Sequence, residues 1–272
     1  MSVHHDIAGR VTTRSLRQMK ADGAKIASLT AYDAAFAQVL DQAGMDLILV
    51  GDSVGMVVQG RATTVPVTMD EMVYHTQLVA RGITRAMLMA DMPFMSYASG
   101  DDCLRNAARL MKEGGAEIVK LEWGELEIDM VARLTACGIP VCAHLGLTPQ
   151  AIHKFGGYRV QGREQAAAHK MKDDARALEE AGADLLLLEC VPQVLASEIT
   201  AAATVPVIGI GAGPDVDGQI LVLYDVLDIA PGKRTRFSKN YMAGAGSIHI
   251  AIETYVREVK AGTFPTAEYA FQ

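Results

Sequence analysis

Gly182-Ala-Asp-Leu-Leu-Leu-Leu-Glu189 follows a glycine with a short apolar run, Leu185–Leu188, that ends in an acid. The same plan recurs upstream in Gly115-Ala-Glu-Ile-Val-Lys-Leu-Glu122 and in Gly44-Met-Asp-Leu-Ile-Leu-Val-Gly-Asp52. In each copy the glycine ends a helix-like stretch, the apolar residues read as a strand, and the strand delivers an acid at its far end. Strands that are apolar at nearly every position are buried on both faces, as in a parallel sheet covered by helices. Repeated units of this kind build an α/β chain from successive βα pieces.

Working outward, eight such runs are expected, near Lys25–Ala31, Asp46–Ser53, Ala86–Pro93, Glu117–Trp123, Pro140–Leu147, Asp184–Val191, Pro206–Gly213 and Val226–Ala230. Helical patterns fall between them, such as Thr68–Arg81, opened by Thr68 with Asp70 and Glu71, and Gly162–Ala181, closed by Gly182. An open doubly wound sheet has a similar periodicity, but eight strands in 272 residues favour a single (β/α)8 TIM barrel, which takes about 250 residues. No linker or composition shift divides the chain. One barrel domain over 1–272 is expected, with a lead-in over 1–24, a functional loop over Leu147–Gln161 and a C-terminal helical segment near 238–262.

A net charge of −7 argues against nucleic acid or an anionic membrane surface as partner and leaves small molecules as the expected ligands. Positions 1–24 carry charges throughout, and no apolar run reaches the roughly 18 residues of a membrane span, so a soluble chain is expected. Cys103, Cys137, Cys142 and Cys190 form no CxxC pair. Reduced, structural thiols and a cytoplasmic location follow as expectations.

Barrel active sites are assembled from the C-terminal ends of strands. The polar residues there are Asp52, Ser53, Asp91, Lys120, Glu122, His144 and Glu189. One acid at a strand end is ordinarily a helix cap, but Asp52, Asp91 and Glu122 follow neighbouring strands two, three and four, so their carboxylates can converge. Three such charges would repel and partly protonate unless a divalent cation held them ionised. Oxygen ligands without a Cys or His cluster point to Mg2+, with Mn2+ or Co2+ able to substitute. Lys120 lies two residues before Glu122 and shares its face of the strand. It either pairs with one of these acids or binds a substrate carboxylate. Ser53 either binds the same carboxylate or caps the next helix, and His144 is either a satisfied core residue or a pocket group. Gly209-Ile-Gly-Ala-Gly213 either cradles a phosphate or lets the backbone pass close to a bulky ligand. Met56, Met72, Met87, Met89, Met92 and Met95 are read as core filling.

These stretches sit within longer motifs: Lys25-Ile-Ala-Ser-Leu-Thr-Ala-Tyr-Asp33, Val50-Gly-Asp-Ser-Val-Gly-Met56, Ala90-Asp-Met-Pro-Phe94, Val119-Lys-Leu-Glu122, His144-Leu-Gly-Leu-Thr-Pro-Gln150, Gly156-Gly-Tyr158 with Gln161-Gly162, Leu188-Glu-Cys-Val-Pro192 and Ile208-Gly-Ile-Gly-Ala-Gly213. In this order the chain resembles the ketopantoate hydroxymethyltransferase family. The resemblance implies a Mg2+-dependent barrel that transfers a one-carbon unit from 5,10-methylenetetrahydrofolate to 3-methyl-2-oxobutanoate, giving 2-dehydropantoate on the route to pantothenate. It further implies that Asp52, Asp91 and Glu122 serve the metal, that Asp52, Ser53, Asp91 and Lys120 contact the oxo acid, that Glu189 accepts the C3 proton, and that His144 lies in the same pocket. A cytoplasmic homodecamer is implied as well. The chain departs from the family pattern at Trp123-Gly124, at Asp228 where glycine is usual, and over Phe237-Ser-Lys-Asn-Tyr241.

The nearest rival is a Mg2+-dependent lyase or mutase of the isocitrate lyase and phosphoenolpyruvate mutase group. The Lys-Lys-Cys-Gly-His or Lys-Arg-Cys-Gly-His loop of a lyase is missing from the sequence. A catalytically silent metabolite-binding or assembly protein is a reading from another class, and the full set of acids with Lys120 weighs against it.

Overall fold

The computed structural model describes residues 9–272 except 123, 231 and 233. Eight parallel strands close into a barrel in chain order: β1 (Ile26–Thr30), β2 (Leu47–Val50), β3 (Met87–Asp91), β4 (Ile118–Glu122), β5 (Val141–Gly146), β6 (Leu185–Glu189), β7 (Val207–Ile210) and β8 (Gly218–Leu221). Closure is made by β8, whose Gly218 pairs with both Ile26 of β1 and Ile208 of β7. The strands are buried along almost their whole length, because one face packs inside the barrel and the other meets the helices.

Seven of the eight expected strands lie where the sequence places them. The eighth does not: Val226–Ala230 is no strand, and Val226 ends a short helix, Leu223–Val226, followed by a turn with Asp228 at φ 58°. The closing strand is Gly218–Leu221, which follows β7 without an intervening helix. Its signal was hidden by Gly218 and Gln219. A Cβ on Gly218 would lie 2.6 Å from the Ile26 carbonyl oxygen and 2.7 Å from Ile26 Cβ, so the barrel closes only over a residue without a side chain. Gln219 is tolerated because its amide donates to the Gly213 carbonyl at 3.0 Å.

Helix ends follow local chemistry. Thr68 and Glu71 form a reciprocal capping box that opens the helix Met69–Gly82. The helix expected over Gly162–Ala181 is Gln165–Glu180; Gly162, at φ 79°, packs against Leu195 and Met171 before the helix begins. The C-terminal helix is Ile248–Lys260, shorter than the expected segment near 238–262. It is pinned to the barrel by fully buried Tyr255, whose hydroxyl donates to the carbonyls of Ser28 (2.8 Å) and Gln219 (3.1 Å).

The lead-in supplies a helix, Thr13–Ala21; residues 1–8 of it lie outside the described part. Its ion pairs, Arg17 with Asp184 (3.0 Å) and Lys20 with Asp217 (2.6 Å), reach residues that immediately precede β6 and β8. These ion pairs place the helix at the N-terminal ends of the strands. Among the described residues no helix is long and apolar enough to cross a membrane.

Asp41 ties the helix Ala34–Gln42 to the segment entering β3, accepting from the backbone N–H groups of Thr84 (2.8 Å) and Ala86 (2.7 Å) and from the Thr84 hydroxyl (2.7 Å). Burial opposes its charge, but these donors, with the Arg85 N–H, hold the carboxyl below the usual aspartate range. Asp41→Ala is expected to cost about 2–4 kcal/mol in urea unfolding at pH 7, since it orphans several donors at once. The depressed pKa makes this share of stability present above the unfolded value, about 3.9, and lost as pH falls through the folded one, so the two proteins should converge in acid.

Candidate active site

The open end of the barrel holds a cavity of about 360 Å³. Its floor is polar. Asp52 and Ser53 come from the turn after β2, Asp91 ends β3, Lys120 and Glu122 lie on β4, and Glu189 ends β6; all line the cavity. Strand register brings them together: Asp91 pairs with Lys120, and Glu122 with His144 on β5.

At the centre stands the Lys120 ammonium, 2.8 Å from Asp91 Oδ1, 3.4 Å from Glu122 Oε1 and 3.3 Å from His144 Nδ1. Lys120 therefore pairs with an acid, and it also lines the cavity. Burial alone would lower its pKa, but Asp91, Glu122 and Asp52 raise it well above the ordinary lysine value, so it is a fixed cation. Glu122 answers it: against burial, Lys120, His144 and the Gln150 N–H (3.0 Å) bring its carboxyl to about 2.

The other acids are under-compensated. Burial first, then Asp91 and Glu122, push Asp52 well above the usual carboxylate range. Asp91 is raised by burial despite Lys120. Glu189 is pushed well up by burial and by Glu122. One ammonium thus faces four carboxylates, three of which resist ionisation. Among the described residues no three His, Cys, Asp or Glu side chains form a ready-made metal cage; the Lys120 ammonium stands between Asp91 and Glu122.

His144 is buried, and burial with Lys120 lowers its pKa, so it is neutral near pH 7. Its Nδ1 lies 3.3 Å from both the Lys120 ammonium and Glu122 Oε1, and its Nε2 faces Glu189 Oε2 at 3.5 Å. His144 does not line the cavity and stands behind its wall, between Glu122 and Glu189. Ser53 does not cap the helix Val54–Val57; its hydroxyl meets that of Tyr32 at 2.9 Å.

Sequence reasoning assigned no role to Gln150, Tyr97 or Tyr32. Gln150 is a hub: its side-chain amide donates to Asp52 Oδ2 (2.9 Å) and to the Met92 carbonyl (2.9 Å), and its own oxygen accepts from Tyr97 (2.6 Å). The signal available was its place at the end of the His144–Gln150 motif. Two other readings are settled by packing. A Cβ on Gly211 would lie 3.0 Å from the Phe237 ring and 3.1 Å from that of Phe271, so this glycine admits the chain's own aromatics rather than a phosphate. Met72, Met87, Met89 and Met92 are core residues as expected, but Met56 lines the cavity and Met95 is exposed. All four cysteines are free, Cys137 being exposed.

The family model for ketopantoate hydroxymethyltransferase matches residues 10–267. The chain belongs to this family. It is 63% identical over 261 residues to the 3-methyl-2-oxobutanoate hydroxymethyltransferase of Alkalilimnicola ehrlichii, covering 96% of this chain and 94% of that protein. It is 57% identical to the enzyme of the same name from Halorhodospira halophila, covering 98% and 97%. Among solved structures, a phosphonopyruvate hydrolase complex with oxalate and Mg2+ superposes with a TM-score of 0.61 at 16% identity, covering 95% of this chain and 93% of that one. A 2,3-dimethylmalate lyase of the phosphoenolpyruvate mutase and isocitrate lyase superfamily gives 0.56 at 17%, covering 77% and 78%. At these identities the likeness is one of fold, so the rival group shares the barrel while the family relatives share the sequence.

Against the family pattern, Asp228 occupies a left-handed position that suits glycine and uses its carboxylate to hold Arg234 (Nε, 3.1 Å) and Asn240 (2.8 Å). Trp123 lies outside the described residues.

Proposed function

We propose that the chain transfers a hydroxymethyl group from 5,10-methylenetetrahydrofolate to 3-methyl-2-oxobutanoate, forming 2-dehydropantoate for pantothenate synthesis. The observation that carries this reading is 63% identity to an enzyme of that name across nearly the whole chain, joined to a cavity floor where Lys120, Asp52 and Glu189 meet.

The chemistry must draw a proton from C3 of the oxo acid and join the resulting enolate to the one-carbon unit of the donor, with one water supplying the hydroxyl oxygen and tetrahydrofolate leaving. Lys120, a permanent cation at the cavity floor, binds the substrate carboxylate while Asp91 and Glu122 fix its direction. Ser53, held by Tyr32, donates a further hydrogen bond to the substrate. Glu189 removes the C3 proton; His144 Nε2 steadies it from behind.

The oxygen donors Asp52, Asp91 and Glu122 suit a hard divalent cation, Mg2+ with Mn2+ or Co2+ as substitutes. Excess negative charge on the floor supports the fit, because the shared repulsion that raises Asp52 would vanish against a cation. Such an ion would polarise the 2-oxo group and stabilise negative charge developing on it.

The direct test is product formation: 2-dehydropantoate should appear only with both substrates, and phosphonopyruvate or 2,3-dimethylmalate should not be consumed. Turnover of either of the latter would instead favour the mutase and lyase group. Lys120→Met, which keeps the stem and loses the charge, is expected to weaken oxo-acid binding about 10–100-fold, as loss of a buried charge-assisted contact does, while tetrahydrofolate binding changes less. Equal losses in calorimetry would make Lys120 a structural ion pair alone. Cytoplasmic location and homodecameric assembly complete the proposal, the latter checked by light scattering.

A further inference from the structure

The cavity lining has two unlike parts. The polar floor accounts for the small oxo acid. The segment after β8 adds Val222, Ala230 and Phe237 with Thr235 to the lining of the same cavity, and with them one acid, Asp225. Asp225 belongs to the short helix Leu223–Val226 directly after β8, and its backbone N–H is used by the Val222 carbonyl at 3.0 Å.

Among the described residues no group donates a hydrogen bond to its carboxylate, although every other acid around the cavity floor has a polar side chain or backbone group on it or facing it. The cation acting on it, Arg234, is drawn instead to Asp228 at 3.1 Å. Burial pushes Asp225 up to about 6, the mark of a carboxylate that loses water without gaining protein donors. Such a group is costly unless a ligand supplies the donors. The same carboxylate acts electrostatically on Tyr32, which holds Ser53, so this part adjoins the oxo-acid floor.

The ligand chemistry that fits is a flat heteroaromatic ring with apolar faces and an edge of adjacent N–H donors. An ionised carboxylate accepts two parallel hydrogen bonds and no anion, so it selects such an edge and repels a carboxylate. We propose that Asp225 recognises the pterin of the one-carbon donor, accepting from its 2-amino and ring N3–H groups while the ring lies along the Phe237 side of this lining. This rests on the folate-dependent reading above. It orients the folate with its reactive edge toward the floor and its anionic glutamate tail away from Asp225, out of the barrel mouth.

The test uses full-length protein, the Asp225→Asn and Asp225→Glu variants, and three readouts. Binding of tetrahydrofolate and of 6-methyltetrahydropterin, which lacks the tail, is measured by fluorescence titration in the presence of oxo acid. Exchange of the C3 hydrogen of 3-methyl-2-oxobutanoate in deuterated water, which needs no folate, is followed by NMR. Asp225→Asn should weaken both pterins by the same factor, about 10- to 100-fold, with partial recovery in Asp225→Glu, while exchange stays within a few-fold of the unaltered protein. Unchanged pterin affinity would overturn the proposal, as would weakened tetrahydrofolate with unaffected 6-methyltetrahydropterin. Exchange lost in step with binding would place Asp225 in folding or in the oxo-acid site and overturn it too. If the unaltered protein neither exchanged the C3 hydrogen nor bound tetrahydrofolate, the functional reading itself would fall, and the subsite with it.

Discussion

Glu189→Gln is expected to bind the oxo acid as the unaltered protein does and to turn it over about 10²–10⁴-fold more slowly, the usual loss when one general base is removed. The substitution keeps the shape of the side chain and an oxygen facing His144 Nε2, so the wall behind it is preserved. What it removes is the site that accepts a proton. Folate-free exchange of the C3 hydrogen in deuterated water isolates that step: the unaltered protein should exchange, and the variant should not. A variant that exchanged normally yet formed no product would move Glu189 to the folate side of the reaction. The pH profile offers a second check. Burial and the neighbouring Glu122 raise the Glu189 carboxyl, and a base works only when deprotonated. The rising limb of kcat/KM should therefore lie above the ordinary glutamate value of about 4.3, with activity lost as pH falls through it. In Glu189→Gln that limb should disappear.

Thorough chelation is expected to abolish product formation, and Mg2+ to restore it, with Mn2+ or Co2+ partly effective. The floor of the cavity sets Asp52, Asp91, Glu122 and Glu189 around the single ammonium of Lys120. Burial and the neighbouring carboxylates outweigh what Lys120 and Gln150 offer, which is why Asp52 and Asp91 are displaced upward. A divalent ion reverses that balance, so its binding should release protons, readable as acidification of a weakly buffered solution independently of turnover. Asp52→Asn should reduce both the proton release and the affinity for the ion. Activity that survived chelation would sink the assignment.

Much of the site was legible because strand ends and acids coincide. Gly44, Gly115 and Gly182 each open an apolar run that ends in or just before an acid, and the structure places Asp52, Glu122 and Glu189 on one cavity as that repeat required. The two-residue alternation of a strand was enough to put Lys120 and Glu122 on one face. His144 was legible as a residue but not as to its side: only the register of β4 and β5 sets it beside Glu122, behind the wall rather than on it. Gln150 was invisible as a hub, since its partners Asp52, Met92 and Tyr97 are far from it in sequence and meet it only when the loop after β5 folds over the barrel mouth.

The sequence by itself determined the alternation of βα units, seven strand positions and the identity of the strand-end acids, because hydrophobic period and helix-end chemistry are local properties. It also carried the family, through motifs spread from Lys25 to Gly213. Only the tertiary structure decided where the barrel closes, because Gly218 is demanded by the approach of Ile26 across the seam rather than by any neighbour in the chain. It alone decided the charge state of the site as well. Four acids and a lysine written in a line have ordinary pKa values; brought within a few ångströms and away from water, one acid is held ionised by Lys120 while Asp52 and Glu189 are driven toward protonation, and that imbalance is the chemical character of the cavity.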